Sequence, residues 1–84
     1  MSKSITENKI NELLTLAHEI RINNLSKSIK LGEEALHLSR QENRMALVAK
    51  CLCQLSLYYM ITGEIEKSTS YSNEALIYYE SLSD

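Results

Sequence analysis

Few side chains in this sequence could do covalent or proton-transfer chemistry, and their spacing keeps most of them apart. Cys51 and Cys53 are the two cysteines. At i, i+2 on a helix they point in different directions, so they neither pair with each other nor share a metal ion. They read as small apolar residues in or near a core. His18 and His37 fall on different helices with no ligand cluster around either. Glu33 and Glu34 are neighbours, which on a helix makes a solvated acidic face rather than an acid–base pair. The chain has no G-x-x-x-x-G-K-[ST] loop, no H-E-x-x-H and no paired cysteine motif for zinc. The expectation is a non-catalytic protein without cofactor or metal.

The elements that would position any site follow from composition. The 84 residues are 44% apolar, room for one domain over 1–84 and one core. There is no proline and there are two glycines, so little interrupts a helix. Valine occurs once, phenylalanine and tryptophan not at all, so strand formers are scarce. The fold class expected is all-α. A net charge of −2 gives no basic surface for phosphate backbones, so nucleic acid is not expected as a partner, and anionic membranes are disfavoured for the same reason. No apolar run approaches the ~20 residues of a bilayer span. The start, MSKSITENKI, lacks the apolar stretch of a signal peptide, and a cytoplasmic location is expected.

Periodicity divides the chain into four helices. Ser4-Ile5-Thr6-Glu7 reads as a capping box, with Ser4 as N-cap, followed by the stripe Ile10, Leu13, Leu14, Ala17 and Ile20. Asn23-Asn24 makes a tight turn, one Asn left-handed at a helix end and one capping the next helix. The second helix runs from about Leu25 to Gln41 with a small inward face: Leu25, Ser28, Ile29, Gly32, Ala35 and Leu36. Gly32 costs ~1 kcal/mol against Ala inside a helix, which close approach of a neighbour would explain. The third helix carries Met45, Val48, Ala49, Leu52, Leu55 and Tyr59 and stops at Thr62-Gly63. On the fourth, Ile65, Ser68, Ser72, Ala75, Leu76 and Tyr79 are read as facing in. Short turns force antiparallel neighbours.

These helices form two copies of one unit. Asn23–Ser28 lies over Gly63–Ser68, and Glu34-Ala35-Leu36 over Glu74-Ala75-Leu76, at a constant offset of 40 without a gap. The units span about 5–41 and 43–82. The second, with Leu52-x-x-Leu55-Ser56-x-x-Tyr59, Gly63, Ser68, Ser72 and Ala75-Leu76, resembles the tetratricopeptide repeat family. The first unit fits in its second helix. In its first helix the stripe is displaced by about one residue, with Glu12 and Glu19 where the pattern has apolar groups. Neither unit has the closing proline, and the period exceeds the usual ~34 residues, as in long-period repeats of bacterial signalling proteins.

The resemblance implies an antiparallel array of two helix-turn-helix repeats that binds a protein or peptide in a groove lined by first helices. Carried onto this chain, the groove candidates are Leu13, Leu14, Ala17 and Arg21 on the first helix, and Lys50, Cys53, Gln54, Leu57, Met60 and Ile61 on the third. The third helix is apolar over most of its circumference, so it needs cover on two sides. Tyr58, Tyr71 and Tyr78 are secondary contact candidates. Two units with no polar cap after them point to a fragment of a longer signalling protein or to a homo-oligomer. The self-association candidates are Leu76, Ile77, Tyr78 and Tyr79, and the expected assembly is a dimer.

A rival of another class rests on His18-Glu19-Ile20-Arg21, which resembles the phosphoacceptor box of sensor histidine kinases. That box continues Thr-Pro-Leu, whereas Ile22-Asn23-Asn24 follows here, and no Gly-rich ATP-binding segment is present. The binding reading predicts no acid-labile label on incubation with a phosphodonor. Label retained by the natural chain and lost in His18→Gln would establish phosphotransfer instead.

Overall fold

Local signals set most of the helix boundaries in the computed structural model, which describes residues 2–83, with side chains from Ile5 to Leu82. The helices are α1 (Ser2–Glu19), α2 (Leu25–Gln41), α3 (Met45–Thr62) and α4 (Ile65–Ser83), and no strand occurs among the described residues. Asn24 caps α2, its side-chain oxygen accepting from the Lys27 N–H at 3.1 Å. Gly63 ends α3 at φ 87°, and the N–H groups of Gly63 and Glu64 close onto the Met60 and Tyr59 carbonyls. The left-handed Asn expected at Asn23-Asn24 occurs elsewhere: it is Asn43, at φ 54°, between α2 and α3. The capping box does not start α1. The helix is already running at Ser4, whose side chain lies outside the described residues, and the Glu7 carboxylate instead accepts from Arg44 at 2.9 Å, tying α1 to the start of α3.

Each helix packs on the next, α1 on α2, α2 on α3 and α3 on α4, with a lighter contact between α1 and α3. α3 is the centre. Leu47, Val48, Cys51, Leu52, Leu55, Tyr58 and Tyr59 are buried on it, against Ile10, Leu14 and Ala17 of α1, Ala35 and Leu36 of α2 and Ala75 of α4. Met45, read as inward, is exposed, because the first turn of α3 sits on the rim beside Arg40, Asn43 and Tyr78. With one charge, Lys50, in its 18 residues, α3 is long and apolar enough for a membrane span, contrary to the reading that no run approaches that length. Half of that stretch is buried inside the protein, against neighbouring helices.

The duplication is visible in three dimensions. Ala35 is 0% and Ala75 2% exposed, at equivalent places in the two hairpins. Ser28 donates to the Ala17 carbonyl at 2.6 Å, and Ser68 donates to the Ser56 carbonyl at 2.8 Å. The serines are 40 residues apart and the carbonyls 39, so the first helices of the two units are out of step by one residue, as the displaced α1 stripe implied. Gly32 is where α2 meets α3 most closely: a Cβ there would lie 2.8 Å from Leu55 Cδ2, and Leu55 is fully buried.

Side chains tie α2 to α4 along one edge of α3. Glu33 is not a solvated residue of an acidic face. Its carboxylate is half-buried and accepts from the Tyr59 hydroxyl at 2.7 Å and the Tyr71 hydroxyl at 2.9 Å, while Arg40 pairs with Glu74 at 2.8 Å. The two tyrosine rings meet edge to face, 5.5 Å between centroids. Burial, reinforced by the Glu33 carboxylate, pushes the Tyr71 phenol up to about 12 and raises that of Tyr59 too. A phenol whose folded pKa lies above its ordinary value of 10.0 contributes stability that is complete below pH 10 and lost as pH rises through the folded value. The urea midpoint should therefore fall between pH 10 and about 12. Tyr59→Phe with Tyr71→Phe should lower the midpoint at pH 8 and flatten that fall; an unchanged alkaline slope would refute the link.

Candidate binding surface

Three sides of α3 are covered by α1, α2 and α4, which leaves one open stripe. Ala46, Lys50, Cys53, Leu57 and Met60 recur along it at alternating spacings of four and three, with Ile61 beside Met60, and all are exposed. Leu57, Met60 and Ile61 are large apolar groups in solvent.

On one flank the stripe is sealed to α1 by polar contacts. Gln54 Nε2 donates to the Leu14 carbonyl at 2.7 Å and to the Tyr58 hydroxyl at 2.9 Å. Tyr58 Oη lies 3.5 Å from His18 Nδ1, and Lys50 Nζ reaches Asn11 Oδ1 at 3.4 Å. No buried side-chain nitrogen or oxygen among the described residues lacks a hydrogen-bond partner. Burial raises the Tyr58 phenol, with the Gln54 bond acting the other way. A shallow cleft remains here, bordered by Thr15, His18, Lys50 and Gln54.

On the other flank the stripe runs onto α4. Cys53 Sγ is 3.9 Å from Tyr79 Oη, and Ser56, Ser68 and Ser72 form a hydroxyl cluster between the helices. Beyond it, Ile65, Thr69, Ser72, Leu76 and Tyr79 share one exposed face of α4. That face is explained by the first unit. Forty residues earlier the same positions are Leu25, Ile29, Gly32, Leu36 and Ser39, the face with which α2 receives α3. Leu36 is 5% exposed and Ser39 0%, whereas Leu76 is 56% exposed and Tyr79 43%. The sequence pattern is repeated, and among the described residues no helix covers the second copy.

This placement changes several expectations. Leu14 and Ala17, with half-buried Leu13, are core residues and not groove lining, because the α1 stripe carrying them is buried in the packing against α2 and α3. Arg21 is half-buried, its guanidinium donating to the His18 carbonyl. Gln54 is half-buried in the α1–α3 seam, while Lys50, Cys53, Leu57, Met60 and Ile61 stand on the open stripe. Tyr58 is wholly buried and Tyr71 half-buried, so neither is a surface contact. Among the self-association candidates, Leu76, Ile77 and Tyr79 are exposed, but Tyr78 turns to the α2 side, packed beside Arg40 and Val48. Ile65, Leu76 and Tyr79 do not face in, whereas Ser72 stands at the inner edge of that face with its hydroxyl turned to Ser56 of α3. Ile65 and Thr69 were missed as surface residues, and their signal was the offset of 40, which maps them onto the positions of Leu25 and Ile29. Cys51 is buried in the core, and burial raises its thiol; Cys53 is exposed.

The surface offers apolar area and peripheral hydrogen-bonding groups. Among the described residues no three His, Cys, Asp or Glu side chains are grouped to hold a metal ion. Its rigidity depends on the α1–α3 seam. Gln54→Leu should cost about 1–2 kcal/mol by urea denaturation, since Tyr58 and the Leu14 carbonyl both lose a donor; a neutral effect would show that the seam is held by packing alone. Comparisons with family models, with curated proteins and with solved structures found no match to this chain.

Proposed function

We propose that this chain is a non-catalytic protein-binding module of tetratricopeptide-like architecture, serving as the regulatory or scaffolding part of a bacterial signalling protein. The observation that carries the proposal is the set of exposed apolar side chains on α3 and α4. Leu57, Met60, Ile61, Ile65, Leu76 and Tyr79 are each between 41% and 59% exposed. At ~200 Å² for a large side chain they present on the order of 600 Å², the upper end of what an ordinary monomer shows. No charged residue interrupts the α4 stripe, and on α3 Lys50 stands at one end. Such a surface suits the apolar face of an amphipathic helix, read at i, i+3, i+4 and i+7 anchors. The acidic balance of the chain and the burial of α3 among its neighbours support a cytoplasmic location.

Titration of fluorescent amphipathic helical peptides, with an amide-shift footprint, tests the proposal. Binding should perturb Leu57, Met60 and Ile61, and Leu57→Glu should weaken it at least roughly tenfold with little change in stability, since Leu57 is exposed. A footprint on the outer face of α1, or affinity indifferent to Leu57→Glu, would overturn the assignment.

A further inference from the structure

We infer that α4 packs against α4 of a second copy of this chain across a two-fold axis, with Ser72 at the crossing point. The inference rests on reading the apolar surface as protein-binding, and it names the occupant of the α4 half.

The internal repeat states what belongs on this face. The stripe Leu25–Ser39 of α2 is covered by α3, and its copy on α4 has the same helical register with large side chains left in solvent. Head-to-tail stacking would cover it with the outward face of α1, the first helix of the other unit. With the first helices displaced by one residue, Leu16 occupies the place of Leu55, but Glu12 occupies that of Cys51 and Lys9 that of Val48. Cys51 and Val48 are buried against their neighbours, whereas Glu12 and Lys9 are exposed charges, which the uncharged α4 stripe offers nothing to satisfy. The outward face of α1 therefore sets charges among its apolar groups, and packing of the α4 stripe against it is disfavoured.

The α4 stripe fits itself instead. Ile65 lies seven residues before Ser72 and Tyr79 seven after, two helical turns each way on one face. In an antiparallel pair with Ser72 opposite its mate, Ile65 of each copy lies over Tyr79 of the other. The small residue at the centre, its hydroxyl turned to Ser56 of its own α3, lets the two helices come nearer than a large side chain would. Taking ~200 Å² per large side chain, Ile65, Leu76, Tyr79 and Leu82, with the two small residues between them, contribute roughly 400–500 Å² per copy. The pair then buries on the order of 1,000 Å², the lower bound for a specific interface. At the margin, Glu80 of one copy comes beside Glu66 of its mate, both exposed, so screening by salt tightens the pair.

Sedimentation equilibrium over about 1–200 µM tests this. The natural chain should pass from monomer to dimer and stop there, with a lower dissociation constant at high salt. Leu76→Glu and Thr69→Arg, both at exposed positions, should stay helical and weaken the dimer at least roughly tenfold. In a Cys53→Ser background, a short bismaleimide should join Ser72→Cys chains but not Ser70→Cys chains, whose thiol faces away from the stripe. A monomer at every concentration, growth beyond dimer, or a dimer indifferent to Leu76→Glu would overturn the inference. Peptide binding sensitive to Leu57→Glu in a strictly monomeric chain would leave the binding proposal standing and this one refuted; a dimer with the expected cross-link and no peptide binding would do the reverse.

Discussion

Burial of α3 on three sides is the constraint on which the remaining structure depends. Eighteen residues with a single charge cannot stand in water, and no one helix is broad enough to cover them. The chain meets this by placing α1, α2 and α4 around α3, so that Leu52, Leu55, Tyr58 and Tyr59 reach three different neighbours. The approach of α2 is set by the missing Cβ of Gly32, into whose place the Leu55 side chain fits. A glycine that weakens α2 as an isolated helix thus lets two helices meet where any other residue would hold them apart.

Polar groups then fix the angles that apolar contact leaves free. Ser28, Ser68, Ser56, Gln54 and Glu33 all bond across helix boundaries, and each bond lies at a seam. Hydrophobic burial is non-directional, whereas a buried hydroxyl or carboxylate must find a partner at one distance and direction. The serines that recur at an offset of 40, Ser28 and Ser68, make the same kind of bond to the preceding helix in both hairpins, although the first helices differ in sequence.

The ends of the array differ in kind. The outward face of α1 mixes Ile5 and Leu16 with Asn8, Lys9, Glu12, Thr15 and Glu19, whereas the matching face of α4 has no charge along its stripe. This polarity of the molecule, and not any single residue, separates an outer face that carries charges from one that carries none.

The sequence by itself determined the four helices, their order and their duplication, because period, caps and Gly63 act within a few residues. The α2 and α4 boundaries followed from local signals, and the close approach at Gly32 was legible from its cost. The apolar excess of α3, and with it Leu57, Met60 and Ile61 as surface, was legible too. Tertiary structure alone decided which of several apolar faces met a neighbour. Leu14 and Ala17 went into the core, Glu33 left solvent for two tyrosines, Glu7 took Arg44 in place of a cap, and Leu76 and Tyr79 were left outside. A stripe at positions 65, 69, 72, 76 and 79 reads the same as its buried counterpart at 25, 29, 32, 36 and 39. Burial is a property of the neighbour as much as of the stripe, and a helix period carries no information about whether that neighbour is present.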